Sequence, residues 1–262
     1  MKLKPIYSQL QKEAIRIAGK YPPPDFYTDH AEHVRQSQRF FGSDPMVCRV
    51  FEYVRNTIDD DYGHGLAHVK NVAIDAGALL LIEGRHGSCP AADGLTRGLR
   101  MAHFAGLLHD ICRKEENHAE AGAVFAEKAL QAYSLSGTEV ADICLAIRNH
   151  EAFGENNTRD ADQNGQLLSD CLYDADKFRW GPDNFTQTIW DMVAYLDISL
   201  DQFLAHYPRG MAYLKKIRET FRTRTGRLYG PQFIDLGIAI GNELHDVIRT
   251  AYADPIDPPP SA

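Results

Sequence analysis

Apolar residues recur at helical spacing along nearly the whole chain. Val69, Val72, Ala73, Ala76, Leu79 and Leu80 follow an i, i+3, i+4, i+7 pattern, as do Val140, Ile143, Cys144 and Ile147. Met211, Leu214, Ile217 and Phe221 form a third stripe, and Leu236, Ala239, Ile240, Leu244, Val247 and Ile248 a late one. The stretch 99–112 (LRMAHFAGLLHDIC) is apolar on most faces, which predicts a central buried helix. No run of alternating polar and apolar residues is bounded by turns. The pattern predicts an all-α fold, a compact bundle of many helices.

The breaks divide the chain. YPPPD at 21–25 ends the first helix, because proline cannot continue one. A loop is predicted over Gly84–Gly94, with Pro90 inside it. Ser136–Thr138 caps a helix starting near Glu139. The polar stretch GENNTRDADQNG at 154–165 reads as a surface loop, and the tail DPIDPPPSA as disordered. With no linker between two cores, the expected organisation is an N-terminal helical extension over 1–43 packed on the core, a helical domain over 44–252, and a disordered tail over 253–262. The first 20 residues, spread with Lys, Gln and Glu, form an amphipathic helix rather than a secretory signal.

Composition narrows the function classes. A chain of 262 residues with 44% hydrophobic and 24% charged residues buries a real core. Lys and Arg number 28 against 36 Asp and Glu, a net charge of −8, which argues against a duplex nucleic acid partner held by phosphate neutralisation. No segment approaches the ~20 uninterrupted apolar residues of a membrane helix, so no membrane partner is expected. Five scattered cysteines, without a C-x-x-C, fit small buried hydrophobes in a reducing cytoplasm.

The histidines are the chemical signal. His64 and His68 stand four apart at the start of an amphipathic helix (GHGLAHVKNV), and so share a face. A helix-start pair of this kind is equally compatible with a cap. His109–Asp110 closes the most apolar helix, where an ionisable pair is costly to bury unless it is paired or metal-bound. His118 opens a helix of small residues (HAEAGA), which permit close packing. His150–Glu151 ends another helix, where a cation is favoured for dipole reasons alone. YDADKFRW places Asp174 and Asp176 beside Lys177. His103, six residues before His109, points to another face and reads as a packed core histidine.

In this order, on successive helices, these residues resemble the HD-domain superfamily of metal-dependent phosphohydrolases. The resemblance covers about 64–180, roughly half the chain. It implies an HD-type bundle in which His68, the doublet His109 and Asp110, and Asp176 (from the A-D-K-F pattern) ligate a metal. His118 and His150 match the histidines through which some members hold a second ion, with Asp110 bridging. The chain lacks the G-Y-P segment of the family's signalling subgroup, which argues against cyclic-di-GMP hydrolysis.

The implied cofactor is one or two divalent ions, among Mn, Fe, Ni, Zn, Co or Mg. The implied substrate is a small phosphorylated compound, with nucleotides among the candidates. Arg113 and Lys114, one helical turn beyond the doublet, are candidate phosphate-binding cations, and Asp110 is the most sensitive catalytic position. His64 is a candidate for phosphate contact or for donating a proton to the leaving group. Lys70, Arg148 and Lys177 are further cations to place. Two other readings stay open, a di-iron oxygenase of HD type and a non-catalytic metal- or ligand-binding regulator. So does a homodimer.

Overall fold

The computed structural model of the protein describes residues 3–58, 65–84, 92–154 and 163–252. His64, Cys89 and the tail 253–262 lie outside them, as do parts of both predicted loops. Among the described residues the regular structure is entirely helical: α1 (Pro5–Ala18), α2 (Asp25–Asp29), α3 (Ala31–Ser43), α4 (Pro45–Thr57), α5 (Leu66–Glu83), α6 (Ala92–Leu108), α7 (His118–Leu130), α8 (Gly137–Arg148) and α9 (Gln163–Phe178). A π-helical turn (Asn184–Thr188) leads into α10 (Ile189–Leu196), followed by α11 (Leu200–Ile217) and α12 (Arg224–Tyr252). No helix among these residues is long and apolar enough to cross a membrane.

Local chemistry explains most boundaries. Asp44 accepts from the backbone N–H of Met46 and Val47 and so caps α4. Ser136 and Glu139 form a reciprocal capping box, which starts α8 at Gly137 rather than near Glu139. α6 runs from Ala92 to Leu108, so Ala92–Gly94, expected in a loop, are helical. The same helix stops short of the predicted Cys112. The His109 ring takes the Gly106 carbonyl at 2.8 Å, and the doublet turns out of the helix instead of continuing it. α9 begins at Gln163, inside the predicted 154–165 loop.

The core is continuous from Tyr7 and Leu10 of α1 to Leu244 and Ile248 of α12. α5 sits at its centre, packed against α3, α6 and α9, while α7 and α8 pair with each other and α8 with α9. Residues 3–43 are bound into this core. Tyr7 Oη donates to the Ile198 carbonyl at 3.0 Å, Gln11 donates to the Thr186 carbonyl, and α3 packs on α5. Arg179, just past α9, pairs with Asp75 of α5 and donates to Tyr27 of α2, so three segments share one buried guanidinium.

The α5–α6 crossing is unusually close because glycines remove side chains from it. A Cβ on Gly106 would stand 2.4 Å from Ala73 Cα and 2.6 Å from Ala73 N, and backbone cannot swing aside. One on Gly77 would meet Ser37 Oγ and His103 Nε2. Gly106→Ala would therefore force the helices apart. The gain in helix propensity, ~1 kcal/mol, is smaller than the overpacking cost of ~1–3 kcal/mol. With the clash falling on backbone, the cost lies at the upper end of that range, and denaturant unfolding of Gly106→Ala should show a net loss of about 2 kcal/mol. Unchanged or raised stability would contradict the close crossing.

His103 is fully buried between Phe40 and Phe41. Ser37 Oγ donates to the Ile74 carbonyl at 2.7 Å, so it accepts from His103 Nε2 at 2.9 Å, and the proton of the neutral ring sits on Nε2. Nδ1 is buried without a hydrogen-bond partner. Burial lowers the imidazolium pKa from its ordinary value to about 3. The folded state thus resists a proton that the unfolded chain accepts near pH 6.5. Stability from this residue is fully present above pH 6.5 and is lost as pH falls from 6.5 toward 3. Between pH 7 and 5.5 wild-type stability should drop by ~1.4 kcal/mol more than that of His103→Gln, measured by urea unfolding at both pH values. Equal drops would refute this assignment.

Candidate metal centre

Five helix ends converge on one buried point. His68 lies in the first turn of α5, His109 and Asp110 directly follow α6, and His118 is the first residue of α7. His150 follows α8 by two residues, and Asp176 is in the last turn of α9. All six side chains are buried, none more than 7% exposed. Three of the five ends, those of α6, α8 and α9, are C-terminal. Their unsatisfied carbonyls and negative dipole ends favour a cation between them.

The donor atoms fall into two sets that share Asp110. In the first, His68 Nε2 and His109 Nε2 are 3.3 Å apart, and Asp110 Oδ2 stands 3.6 Å and 3.3 Å from them. Asp176 Oδ1 joins this set at 3.4 Å from His68 and 3.8 Å from His109. In the second, the other oxygen of the same carboxylate, Asp110 Oδ1, lies 3.6 Å from His118 Nε2 and 3.4 Å from His150 Nε2. Two donors each ~2.1 Å from one ion stand about 3.0 Å apart at a right angle and about 3.4 Å apart at the tetrahedral angle. The observed spacings match donors sharing an ion.

The ring nitrogens are held ready for that role. His109 Nδ1 meets the Gly106 carbonyl at 2.8 Å, and His150 Nδ1 meets the Ile147 carbonyl at 2.6 Å. A carbonyl only accepts, so each Nδ1 carries the proton and each Nε2 presents its lone pair to the cluster. Both contacts run three residues back to the end of the preceding helix, so the helix terminus itself orients the ligand. His118 Nδ1 lies 3.3 Å from Glu151 Oε1.

Electrostatics treat His118 and His109 differently. Burial pulls the His118 imidazolium down, and the Arg113 guanidinium adds to it, leaving a pKa of about 3 and a neutral ring. For His109, burial opposes the charged form, yet Asp110 and then Asp176 raise its pKa above the ordinary value. Burial pushes the Asp176 carboxyl up, but the Lys177 ammonium, with His68 and His109, holds it well below the usual range. Lys177 donates to Asp176 Oδ2 at 2.5 Å and to the His150 carbonyl at 2.9 Å. Two cations, Lys177 and Arg113, stand against three carboxylates, Asp110, Asp176 and Glu151, which leaves negative charge where the imidazoles meet. A divalent cation satisfies both demands, so the residues fit the implied metal.

The neighbouring predicted residues go to different places. Arg113 is at the cluster, its Nη1 2.6 Å from His118 Nε2. Lys114 is exposed, with its ammonium 5.5 Å over the Tyr195 ring. Arg148 pairs with Glu120 at 2.8 Å, and Lys70 stands over Phe41. His64 lies outside the described residues. Asp174 is turned to the start of α12, where it accepts from the N–H of Arg222 and Thr223 and from the Thr223 hydroxyl at 2.7–2.8 Å. The orienting carbonyls of Gly106 and Ile147 escaped the sequence reading, as backbone groups without a side-chain signature. Glu151 stood in the His150–Glu151 pattern, but its contact with His118 could not be read from spacing.

No family model, no curated protein and no solved structure matches the chain. The site therefore rests on its own geometry.

The shared carboxylate generates a stoichiometry test. In protein purified without chelator and analysed for metals, His68→Ala and His118→Ala should each lower the ions per chain by one. Asp110→Ala should remove both. Retention of two ions by Asp110→Ala would refute the shared-ligand arrangement.

Proposed function

We propose that the protein is a metal-dependent phosphohydrolase of the HD type, acting on a small phosphoester. The observation that carries this reading is the Asp110 carboxylate, whose two oxygens face two separate histidine pairs. Divalent ions held there would bring a water's pKa from 15.7 toward ~7 and polarise a phosphoryl oxygen. The protein's own groups do the rest. Asp110 fixes the spacing of the two donor sets. The Gly106 and Ile147 carbonyls keep His109 and His150 from turning. Arg113, at the edge of the second set, exchanges its contact with His118 Nε2 for the oxygens of an incoming phosphoryl group, where a guanidinium binds in bidentate fashion. Lys177 holds Asp176 ionised. Hydrolysis then adds water to phosphorus, breaks the ester P–O bond and returns a proton to the leaving alcohol.

A second reading has one observation in its favour. Each donor set contains two histidines and a carboxylate, the facial triad that suits non-haem iron and oxygen chemistry. Oxygen consumption by the iron-loaded protein, with no phosphate released, would replace the hydrolase with an oxygenase.

The test is a panel of phosphoesters with Mn, Co or Mg, following inorganic phosphate. His109→Ala and Asp110→Ala should lose at least ~100-fold in kcat/KM with helical content unchanged. Arg113→Gln should raise KM by ~10-fold or more, since a hydrogen bond to a charged group contributes ~1.5–3 kcal/mol. Full activity in Asp110→Ala would overturn the proposal.

A further inference from the structure

A cavity of about 820 Å³ opens beside the metal centre, and His68 and Arg113 form part of its wall. It runs between the π-helical turn, α10 and α11. The remaining walls are mostly aliphatic, aromatic and thioether groups, chief among them Trp180, Met192, Val193, Leu196, Met211 and Tyr213. Besides His68 and Arg113, its polar side chains are Arg179, Asn184, Thr188, His206, Arg209 and Lys216, of which His206, Arg209 and Lys216 are exposed. The volume lies in the ~300–1,000 Å³ range of sites that enclose a ligand with tens of atoms. It is far more than a phosphoryl group needs.

The sequence pattern explains why the space exists. Buried positions on α10 (Trp190, Val193) and α11 (Phe203, Tyr207, Leu214) anchor these helices to the core. Met192, Leu196 and Met211 project from the same helices and are only partly covered or exposed. Pro208 lies inside α11 and cannot donate to the helix ladder, and the π-helical turn sits opposite. Both irregularities occur in the elements that bound the cavity.

We propose that the substrate is an amphiphile. Its phosphoryl head lies at Arg113 and the metal centre, and its extended apolar group fills this cavity. The proposal rests on the phosphohydrolase reading for the head and on the cavity for the tail. A nucleobase would bring ring nitrogens and carbonyls against walls dominated by methionine, valine, leucine and aromatic groups, with only a few polar side chains to pair them. An alkyl or isoprenoid-like chain loses nothing there and gains from each methylene withdrawn from water.

The experiment is titration calorimetry of the metal-loaded full chain with the hydrolysis-resistant series methyl- to decylphosphonate, with decanol and AMP as comparators. The dissociation constant should fall about fourfold per added methylene until the cavity is full. Met211→Asp, with the more exposed Leu196→Asp as a second variant in case the first misfolds, should weaken decylphosphonate at least tenfold. Methylphosphonate binding with no chain-length dependence would overturn the amphiphile and leave the phosphohydrolase standing. Decanol binding as tightly as decylphosphonate would overturn the phosphoryl head, and with it the phosphohydrolase reading, while the apolar pocket remained. AMP binding more tightly than decylphosphonate would overturn the apolar tail in favour of a nucleotide.

Discussion

Two carboxylates, Asp110 and Asp176, are buried at the middle of a helical bundle, and the structure around them is arranged to make that tolerable. An isolated buried carboxylate is strongly disfavoured; Lys177 pairs directly with Asp176, while the Arg113 guanidinium reaches the cluster only through His118, whose ring also faces Glu151. The surrounding groups point positive or electron-pair character the right way. Four imidazoles converge, two of them locked by helix-end carbonyls with Nε2 facing inward. Asp110 divides its two oxygens between the histidine pairs. A divalent cation held there would complete the charge balance, and the stability of the fold would then be tied to that ion through mass action.

The backbone geometry serves the same convergence. His68 and His109 come together because α5 and α6 cross almost backbone to backbone at Ala73 and Gly106. His118 approaches because Gly122, one turn further along α7, lets that helix close on the His109 carbonyl, which a Cβ would meet at 3.2 Å. α9 brings Asp176 in and turns Asp174 out, since residues two apart on a helix face different ways. Asp174 then ties α9 to the start of α12. Arg179, just past that same end of α9, fastens it to α5, the helix that carries His68. Beside this rigid centre, α10 and α11 leave open space. Rigidity at the histidine–carboxylate cluster and room beside it suit a site that positions one small group and accommodates a larger one.

Much of this was legible in the residues. The 3.6-residue apolar period of Val69–Leu80 and of Leu236–Ile248 specified α5 and α12, because burial of one face is a local property of spacing. The doublet after an apolar run marked a costly polar group in a dry place. The small residues after His118 marked a close approach. Helix ends were less legible. The apolar run extends to Cys112, yet α6 ends at Leu108, because a side-chain ring captures a helical carbonyl and periodicity does not register that. The fates of Arg113 and Lys114 were equally hidden. Arg113 and Lys114 lie in the turn past α6, where no helical register fixes their directions, and only the packing of α7 and α10 decides which meets His118 and which meets Tyr195.

The sequence by itself determined the helical class, the helices whose faces are buried and the residue types able to hold a metal. Each of these follows from short-range spacing and from the chemistry of single side chains. Only the tertiary structure decided that five helix ends meet at one point, that one carboxylate serves two histidine pairs, and that an apolar cavity adjoins them. Those are distances between residues that can stand more than a hundred positions apart, as His68 and Asp176 do. Such distances depend on how closely helices can pack, and that is set by pairs such as Gly106 with Ala73, whose partnership no local pattern records.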